Sequence, residues 1–401
     1  MNKICVLKNP TQEYAWGSKT VIQDLLGQIE SKDKPIAELW MGDHPKAASN
    51  VLIEGGWQSL DEVIGRSPES ILGKDVAKRF SSKLPFLFKV LAVDSPLSIQ
   101  VHPNREQARA GFARENSLKI PLNASNRNYK DENHKPEVLC AITPFQGLKG
   151  FRKSEEALAL MERIVSSNLS DEFNRLKMEA NTIGLKGFFT ALMRMDKYRQ
   201  PLIVSEAVRL AEKLANEDQA FYWMVELNKA YPGDIGVFSP VILNLVQLEP
   251  GEAIYLPAGE LHAYLCGVGI ELMANSDNVL RGGLTSKHID VIELLKIVNF
   301  KTGSIEIIKP EKYGMIERIY PTPAEEFLLS KLSVDEGGIF TSPQDRSVEI
   351  LICLKGKADV KDLGNSELLR LDKGKSIIVP SAVSQYQIEG NATFYKASVP
   401  L

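Results

Sequence analysis

The chain has little of the two residue types that most often bind transition metals, histidine and cysteine. Its 401 residues include five histidines and four cysteines. The cysteines lie far apart and form no C-x-x-C pair: Cys5, Cys140, Cys266 and Cys353. This spacing argues against a disulfide scaffold or a cysteine-based zinc site, so we expect reduced, mostly buried thiols. Any histidine-based site must draw on the five histidines, which are His44, His102, His134, His262 and His288.

Long apolar runs and clusters of one charge are also absent. No stretch is long enough to span a bilayer, and the N-terminal residues lack the apolar region of a secretory signal. The net charge is −3 and the basic residues form no run, so we expect neither a nucleic acid nor a membrane as partner. A glycine-rich phosphate loop is missing too, since Gly267 and Gly269 lie in a predicted strand. We expect a cytoplasmic protein that is a monomer or a weak homo-oligomer.

The hydrophobic pattern predicts a mainly β protein with a helical insert. Short apolar runs separated by turn residues indicate strands up to about residue 150, and again from about 236 to the end. Between them apolar residues recur at helical spacing, as in Leu158, Met161 and Val165. A short helix is also predicted over 289–298. We therefore expect a discontinuous β domain over 1–152 and 233–305, an all-α insert over 153–232, and a C-terminal β domain over 306–401.

Residues 248–262 and 371–385 repeat one pattern. Each has Leu, an acid, any residue, Gly, five residues, Pro, and a polar residue five positions later. The first copy, G-x5-P-x-G-x2-H, resembles the second motif of cupin barrels, in which a strand presents a metal-binding histidine, here His262, to the barrel interior. The second copy has Gln385 in that place. The repeat predicts two cupin (jelly-roll) barrels, the second without a metal site.

The stretch S-I-Q-V-H-P (98–103) is the one candidate for the first cupin motif. Its alternation places Gln100 and His102 on one face of an extended chain, as a solvent-facing strand also would. The acidic partner is best sought in Y-K-D-E-N-H-K-P-E (129–137), which ends at Glu137. Two imidazoles, a carboxylate and a neutral amide oxygen fit a divalent cation, with zinc first and iron or manganese as alternatives.

One long stretch identifies a family. H-A-Y-L-C-G-V-G-I-E-L-M-A-N-S-D-N-V-L-R-G-G-L-T-S-K (262–287), with 98–103 and 129–137, closely resembles type I mannose-6-phosphate isomerases. Y-A-W-G-S (14–18), E-L-W-M-G (38–42) and P-F-L-F-K-V (85–90) also look like that family. The resemblance covers most of residues 1–300, and the helical insert and degenerate C-terminal cupin fit it. The loop after Arg281 departs from it, because Gly282 and Ser286 stand where the family usually has R-A-G-x-T-P-K.

The resemblance implies a zinc enzyme with one ion per chain and a sugar phosphate as substrate. The implied ligands are Gln100, His102, Glu137 and His262, the set that the cupin motifs also assemble. It implies an essential Arg281 as well. The implied reaction is the reversible conversion of mannose 6-phosphate to fructose 6-phosphate, with a proton moved between C1 and C2 through a cis-enediol.

Such a reaction needs a group that moves the proton and cations that hold the phosphate. Lys135 and His134 are candidates for proton transfer because they directly precede Glu137. Arg281 could neutralise the enediolate or bind the phosphate. Asp277 and Glu271 could act as the base or orient Lys135 or Arg281; we assign Asp277 to the catalytic set. Glu271 joins Ser98 as a substrate-binding candidate, although each of these residues could instead form a structural salt bridge or turn.

Two other functions are compatible with a cupin metal site. One is a non-catalytic cupin that binds a sugar phosphate as a sensor; the presence of both Lys135 and Arg281 disfavours it. The other is an iron-dependent oxidase or dioxygenase with two histidines and a carboxylate. The amide of Gln100 and the segment around Arg281 disfavour that alternative.

Overall fold

The computed structural model describes residues 1–28 and 34–401. These residues form two large antiparallel sheets and a block of helices that the chain inserts between strands of the first sheet. The predicted fold class, mainly β with a helical insert, is confirmed. None of the helices in the described ranges is both long and apolar enough to cross a membrane.

The first sheet contains the strands on which the predicted metal ligands lie. Its longest strand is His262–Ala274, and the two halves of this strand pair with different neighbours. The first half pairs with Ile99–Val101 and Phe145–Phe151. The second half pairs with Phe86–Val93 and Glu137–Ala141. One strand thus joins both layers of a barrel. Its strands are β2 (Thr11–Gln12), β3 (Glu38–Met41), β6 (Phe86–Val93), β7 (Ile99–Val101), β8 (Glu137–Ala141), β9 (Phe145–Phe151), β10 (Leu243–Leu248), β11 (Ala253–Leu256), β12 (His262–Ala274) and β13 (Leu280–Gly283).

The second sheet combines the C-terminal strands with three strands from the N-terminal region. Cys5 pairs with Ile378, so the first strand of the chain extends the C-terminal barrel. This differs from the expectation that all of residues 1–152 belong to the first barrel; the pairing covers a sheet edge that would otherwise be exposed. The strands are β1 (Cys5–Lys8), β4 (Asn50–Ile53), β5 (Gly56–Ser59), β14 (Glu311–Tyr313), β15 (Glu317–Tyr320), β16 (Leu328–Val334), β17 (Ile339–Thr341), β18 (Glu349–Asp362), β19 (Leu368–Asp372), β20 (Ser376–Val379) and β21 (Tyr386–Ser398).

The helices fall into an insert and a few connecting segments. The insert packs its apolar faces against the first barrel in one continuous core. Strands resume at Leu243 and not near residue 236, because residues 235–242 form a 3₁₀ turn and a short helix. The helices are α1 (Val21–Leu25), α2 (Leu60–Arg66), α3 (Pro68–Leu72), α4 (Lys74–Arg79), α5 (Arg105–Ser117), α6 (Ser154–Glu162), α7 (Ser170–Met178), α8 (Thr182–Met193), α9 (Gln200–Leu214), α10 (Gln219–Ala230), α11 (Ser239–Ile242) and α12 (Val291–Ile297), with 3₁₀ turns at Ser167–Leu169 and Ile235–Phe238.

Helix α5 and the loop after it carry the chain from the metal-site strand β7 to β8. A capping box between Asn104 and Gln107 begins the helix. Tyr129 attaches the loop to helix α12, because its side chain is fully buried and its hydroxyl donates a hydrogen bond to Glu293. Gly111 on α5 lies directly beneath the Tyr129 ring. This contact fixes the position from which the segment 130–137 runs to the metal site.

We expect Gly111→Ala to destabilise the protein by about 1–3 kcal/mol, because the added methyl group would overlap the Tyr129 ring. Gly187→Ala in α8 is the matched control. Apart from the backbone of its own helix, no atom of the described residues lies within 4 Å of a Cβ at that position, so helix propensity should make the change neutral or stabilising by up to about 1 kcal/mol. Thermal or denaturant unfolding of the two variants measures the difference; equal stabilities would contradict the proposed packing.

Candidate metal centre

Strand β7 separates its side chains as the alternation predicts. Ile99 and Val101 are buried in the core shared with the helical insert, whereas Gln100 lines a polar cavity on the opposite side. His102 directly follows the strand and is 1% exposed. In the sheet, Gln100 is paired with His262 on β12 and with Arg281 on β13. The register therefore brings three of the predicted site residues to one place.

His102, Glu137 and His262 converge as a buried cluster. Nε2 of His102 lies 3.3 Å from Oε1 of Glu137, and Nε2 of His262 lies 3.5 Å from Oε2 of the same carboxylate. One ligand atom from each residue falls within 4.8 Å of the others, a separation that one metal ion can bridge. Among the described residues this is the single group of three or more acidic, histidine or cysteine side chains with that geometry.

Backbone carbonyls orient both imidazoles for metal binding. Nδ1 of His102 lies 2.7 Å from the carbonyl oxygen of Asn278, and Nδ1 of His262 lies 3.0 Å from that of Glu260. With Nδ1 as the donor, each Nε2 carries a free lone pair directed at the cluster. Nε2 of His102 is buried and makes no hydrogen bond to any described residue. An orphaned acceptor beside a carboxylate fits a bound cation.

The protonation states also suit a metal. Burial, assisted by the charge of Lys135, lowers the pKa of His102 to about 4, so its imidazole is neutral at physiological pH. Burial alone would raise the pKa of Glu137, but Lys135 and His102 outweigh it and hold that pKa well below its ordinary value. Lys135 is itself largely buried, and its Nζ lies 2.7 Å from Oε1 of Glu137. The site thus combines two imidazoles, of which that of His102 is neutral, with an ionised carboxylate and a neighbouring amine.

Gln100 lines the same cavity, which has a volume of about 70 Å³. Its side-chain amide forms no hydrogen bond with another described residue, so its oxygen is available to a ligand. A cavity of this size has room for an ion together with several water molecules or part of a small ligand. The role of Gln100 as the fourth metal ligand stays a prediction.

A second group of buried charges lies behind the metal ligands. Lys89 Nζ is 2.9 Å from Oε2 of Glu271 and 3.6 Å from Oε2 of Glu38. The hydroxyl of Tyr264 donates to Oε1 of Glu271 at 2.9 Å. Burial opposes the charge on Lys89, but the two glutamates raise its pKa, whereas burial raises the pKa of Glu271. Glu271, predicted to bind substrate, is therefore already occupied by Lys89 and Tyr264.

Sequence reasoning assigned no role to Lys89, Glu38 or Tyr264, although all three line the cavity. One signal was present: Lys89 is the single charged residue in the strand F-L-F-K-V-L-A-V, and all eight of its residues are buried. A lysine in such a strand is rare unless it is paired. The partners could not be predicted, because they lie on β3 and β12, far away in the sequence.

Asp277 and Arg281 lie among basic side chains and not in the histidine cluster. Oδ1 of Asp277 accepts a hydrogen bond from Lys46 at 2.7 Å and lies 3.6 Å from Nε2 of His44. Burial, followed by the charges of Lys46 and Arg281, lowers the pKa of Lys130. Burial and the same cations also lower the pKa of Lys287. These four side chains form what we call the basic cluster: Lys46, Lys130, Arg281 and Lys287.

Two other predicted residues have different surroundings. His134 directs its imidazole to Glu326 of the C-terminal region, where Nε2 lies 2.6 Å from Oε1, and so does not join the metal cluster. Ser98 is half-buried just before β7, with no side-chain hydrogen bond to a described residue. The structure therefore brings Lys135 to the metal ligands and directs His134, its neighbour in sequence, elsewhere.

The second barrel has a glutamate at the position equivalent to Glu137. Glu137 is paired with Leu256, and Glu349 with Val379, and these two partners hold the same place in the repeated motif. Glu349 is neutralised by protein cations, since Lys396 lies 2.9 Å and Arg346 3.7 Å from its carboxylate. Gln385, which replaces the motif histidine, donates its amide hydrogen to the carbonyl of Ser342 at 2.8 Å.

Two jelly-roll sheets, with a His–Glu–His cluster in the first, define a cupin protein that can hold a metal ion. Family models match most of the chain: the catalytic domain of type I phosphomannose isomerase at residues 4–154, its helical insertion domain at 160–243, and the mannose-6-phosphate isomerase cupin domain at 316–398. The chain belongs to the type I mannose-6-phosphate isomerase family.

Mannose-6-phosphate isomerases from other organisms are similar to this chain over nearly its full length. Mannose-6-phosphate isomerase of Escherichia coli is 40% identical over 390 residues, which cover 96% of this chain and 97% of that protein. A crystal structure of mannose 6-phosphate isomerase from Salmonella typhimurium, bound to fructose 6-phosphate and zinc, superposes with a TM-score of 0.91 at 37% identity and full coverage of both chains. A zinc-bound holo structure of mannose 6-phosphate isomerase matches equally well, with a TM-score of 0.91 at 37% identity and full coverage of both chains.

We expect His262→Ala to abolish metal binding and Gln385→Ala to leave it unchanged. The first variant removes one of the converging imidazoles, whereas the second removes an amide that only binds a backbone carbonyl. Elemental analysis after dialysis should give about one zinc per chain for the wild type and for Gln385→Ala, and close to none for His262→Ala. Retained zinc in His262→Ala would show that the ion binds elsewhere.

Proposed function

We propose that this chain is a zinc-dependent aldose–ketose isomerase that interconverts mannose 6-phosphate and fructose 6-phosphate. The observation that carries the proposal is the joint placement of the His102–Glu137–His262 cluster and the Lys135 amine around one cavity. The same reaction is named for the relatives described above. A sensor would need only the binding groups, whereas this cavity also holds buried lysines that suit proton transfer.

Zinc is the ion that the donor set fits best. Two imidazoles, one carboxylate and the amide oxygen of Gln100 give a four-ligand site of nitrogen and oxygen donors. When bound, zinc supplies Lewis-acid polarisation of the substrate's C1 and C2 oxygens. The charges around the cavity are compatible with a bound cation. Three glutamates (Glu38, Glu137, Glu271) and two lysines (Lys89, Lys135) have one excess negative formal charge, which the ion would balance.

Lys135 is the residue to which we assign the movement of the proton. Its Nζ lies at the cavity, held by Glu137, within reach of a sugar bound beside the ligands. In the forward direction the proton leaves C2 while O1 gains one, which gives the cis-enediol; O2 then loses its proton and C1 gains one. Lys89 and Glu271 keep the charge behind the cavity fixed during these steps.

The basic cluster is the site that we assign to the phosphate group. Beside the effect of burial, Lys46 and Arg281 lower the pKa of both Lys130 and Lys287, as nearby cations do. Arg281 makes no ion pair with another described residue, so its guanidinium is free to bind an oxyanion in a bidentate manner. Asp277 restrains Lys46, and Ser98 remains a candidate donor to the substrate.

We also propose the organisation of the protein. The catalytic domain would comprise 1–152 and 233–305, the helical insert 153–232 and the degenerate C-terminal cupin 306–401; three strands of the first segment, β1, β4 and β5, extend the sheet of the C-terminal cupin. A cytoplasmic monomer or weak homo-oligomer accords with the even charge distribution and with the absence of any bilayer-length apolar helix in the described ranges.

The proposed reaction is tested by incubating the zinc-loaded protein with mannose 6-phosphate and following fructose 6-phosphate. We expect turnover that a chelator abolishes and that added zinc restores. No turnover in the metal-loaded protein would refute the isomerase. Iron in the purified protein together with oxygen consumption would instead favour the oxidase.

We expect Lys130→Met to raise KM for mannose 6-phosphate about tenfold with a smaller change in kcat, because one charge-assisted contact to the phosphate, worth about 1.5 kcal/mol, is lost. Lys119→Met is the matched control, since Lys119 is an exposed lysine of the loop that follows α5. Steady-state kinetics of both variants provide the comparison. An unchanged KM for Lys130→Met would place the phosphate outside the basic cluster.

A further inference from the structure

One carboxylate of the C-terminal region binds both ends of the segment that leads to the metal centre. Nη2 of Arg105, the first residue of α5, lies 2.6 Å from Oε1 of Glu326, and Nε2 of His134 lies 2.6 Å from the same oxygen. Glu326 stands between β15 and β16 and is 4% exposed, although the adjacent Glu325 is exposed. The second barrel thus supplies a buried anion to the rim of the first.

The charge on Glu326 makes this bridge strong. Burial would raise the pKa of its carboxyl group, but the hydrogen bond from His134 and the charge of Arg105 hold that pKa below the ordinary value. A carboxylate that accepts from a guanidinium and an imidazole forms charge-assisted hydrogen bonds. Its other oxygen is buried without a partner among the described residues, so loss of the bridge would leave a costly buried charge.

The bridge lies one residue away from the amine in the cavity. His134 and Lys135 are neighbours in the short irregular segment before β8, and of the two only Lys135 lines the cavity. His134 binds Glu326 on the outside, whereas Lys135 binds Glu137 on the inside with Nζ 2.7 Å from Oε1. Holding the outer side chain therefore fixes the backbone from which the inner one projects.

We propose that Glu326 is a positioning residue for Lys135, through which the second barrel contributes to the reaction geometry without touching the substrate. His134 then acts as the link between the two and not as a proton-transfer group. The inference rests on the proposed function, since it takes Lys135 as the residue that moves the proton.

The test compares Glu326→Ala with Glu325→Ala, a change of the same chemistry at the adjacent exposed position. For Glu326→Ala we expect kcat to fall about tenfold while the zinc content stays stoichiometric, as for other residues that orient an active group indirectly. KM should stay within about twofold, because no contact with the substrate is removed. Glu325→Ala should match the wild type in all three measurements.

Substitutions at His134 separate a link from a proton carrier. His134→Ala should lose as much kcat as Glu326→Ala, and the double variant should be no slower than either single variant, because both remove one interaction. His134→Gln should recover most of the loss, since its amide can donate to Glu326 but cannot exchange protons as an imidazole does. This comparison also decides the question if Glu326→Ala does not fold.

Three outcomes would overturn the inference. They are full kcat in folded Glu326→Ala, additive losses in the double variant, and a His134→Gln variant as slow as His134→Ala. Hydrogen exchange at the amides of residues 134–137 gives a readout without turnover, and it should be faster in Glu326→Ala than in Glu325→Ala. If the wild type does not interconvert the two sugar phosphates, the proposed function fails, whereas the exchange rates still decide whether Glu326 holds this segment.

Discussion

The structure depends on how the chain compensates one buried carboxylate, that of Glu137. A carboxylate that is 2% exposed is costly unless ionic partners and hydrogen bonds replace the water it has lost. Lys135 supplies a counter-charge to Glu137, and the imidazoles of His102 and His262 lie beside the same carboxylate. The cluster can therefore hold a cation at its centre, and a bound ion would add to the stability of the first barrel.

The position of each ligand depends on backbone groups outside the barrel strands. Asn278 shows this most directly, because its carbonyl orients His102 while its side chain hydrogen-bonds the backbone of residues 130, 131 and 133. One fully buried amide thus couples a metal ligand to the loop that carries Lys135. Such partners of the ligands hold the site as firmly as the ligands themselves.

The sequence predicted the parts of the site that follow from local geometry. The alternation in 98–103 is a property of extended chains, and the motif ending at His262 describes a single turn. Both motifs are local, so the ligands they carry could be predicted without knowing the tertiary structure. The contacts of Lys89 depend on the register between β3, β6 and β12, which one sequence does not display. Neighbouring position in the chain suggested a shared role for His134 and Lys135, yet adjacent side chains in an irregular segment point to different sides. The pairing of β1 with β20 could not be predicted either, because the tertiary fold decides which strand pairs with a given sheet edge.

The two barrels solve the same electrostatic problem in different ways. Glu137 and Glu349 occupy equivalent places, but the first pairs with Lys135 beside two histidines and a cavity, whereas the second is bound by both Lys396 and Arg346. Covalently attached cations need no cavity, so the second interior can pack as a core and lose the ability to exchange an ion. A close-packed interior of this kind resists deformation. That rigidity suits the second barrel to its other contact, in which Glu326 holds the segment beside the first barrel's reactive amine.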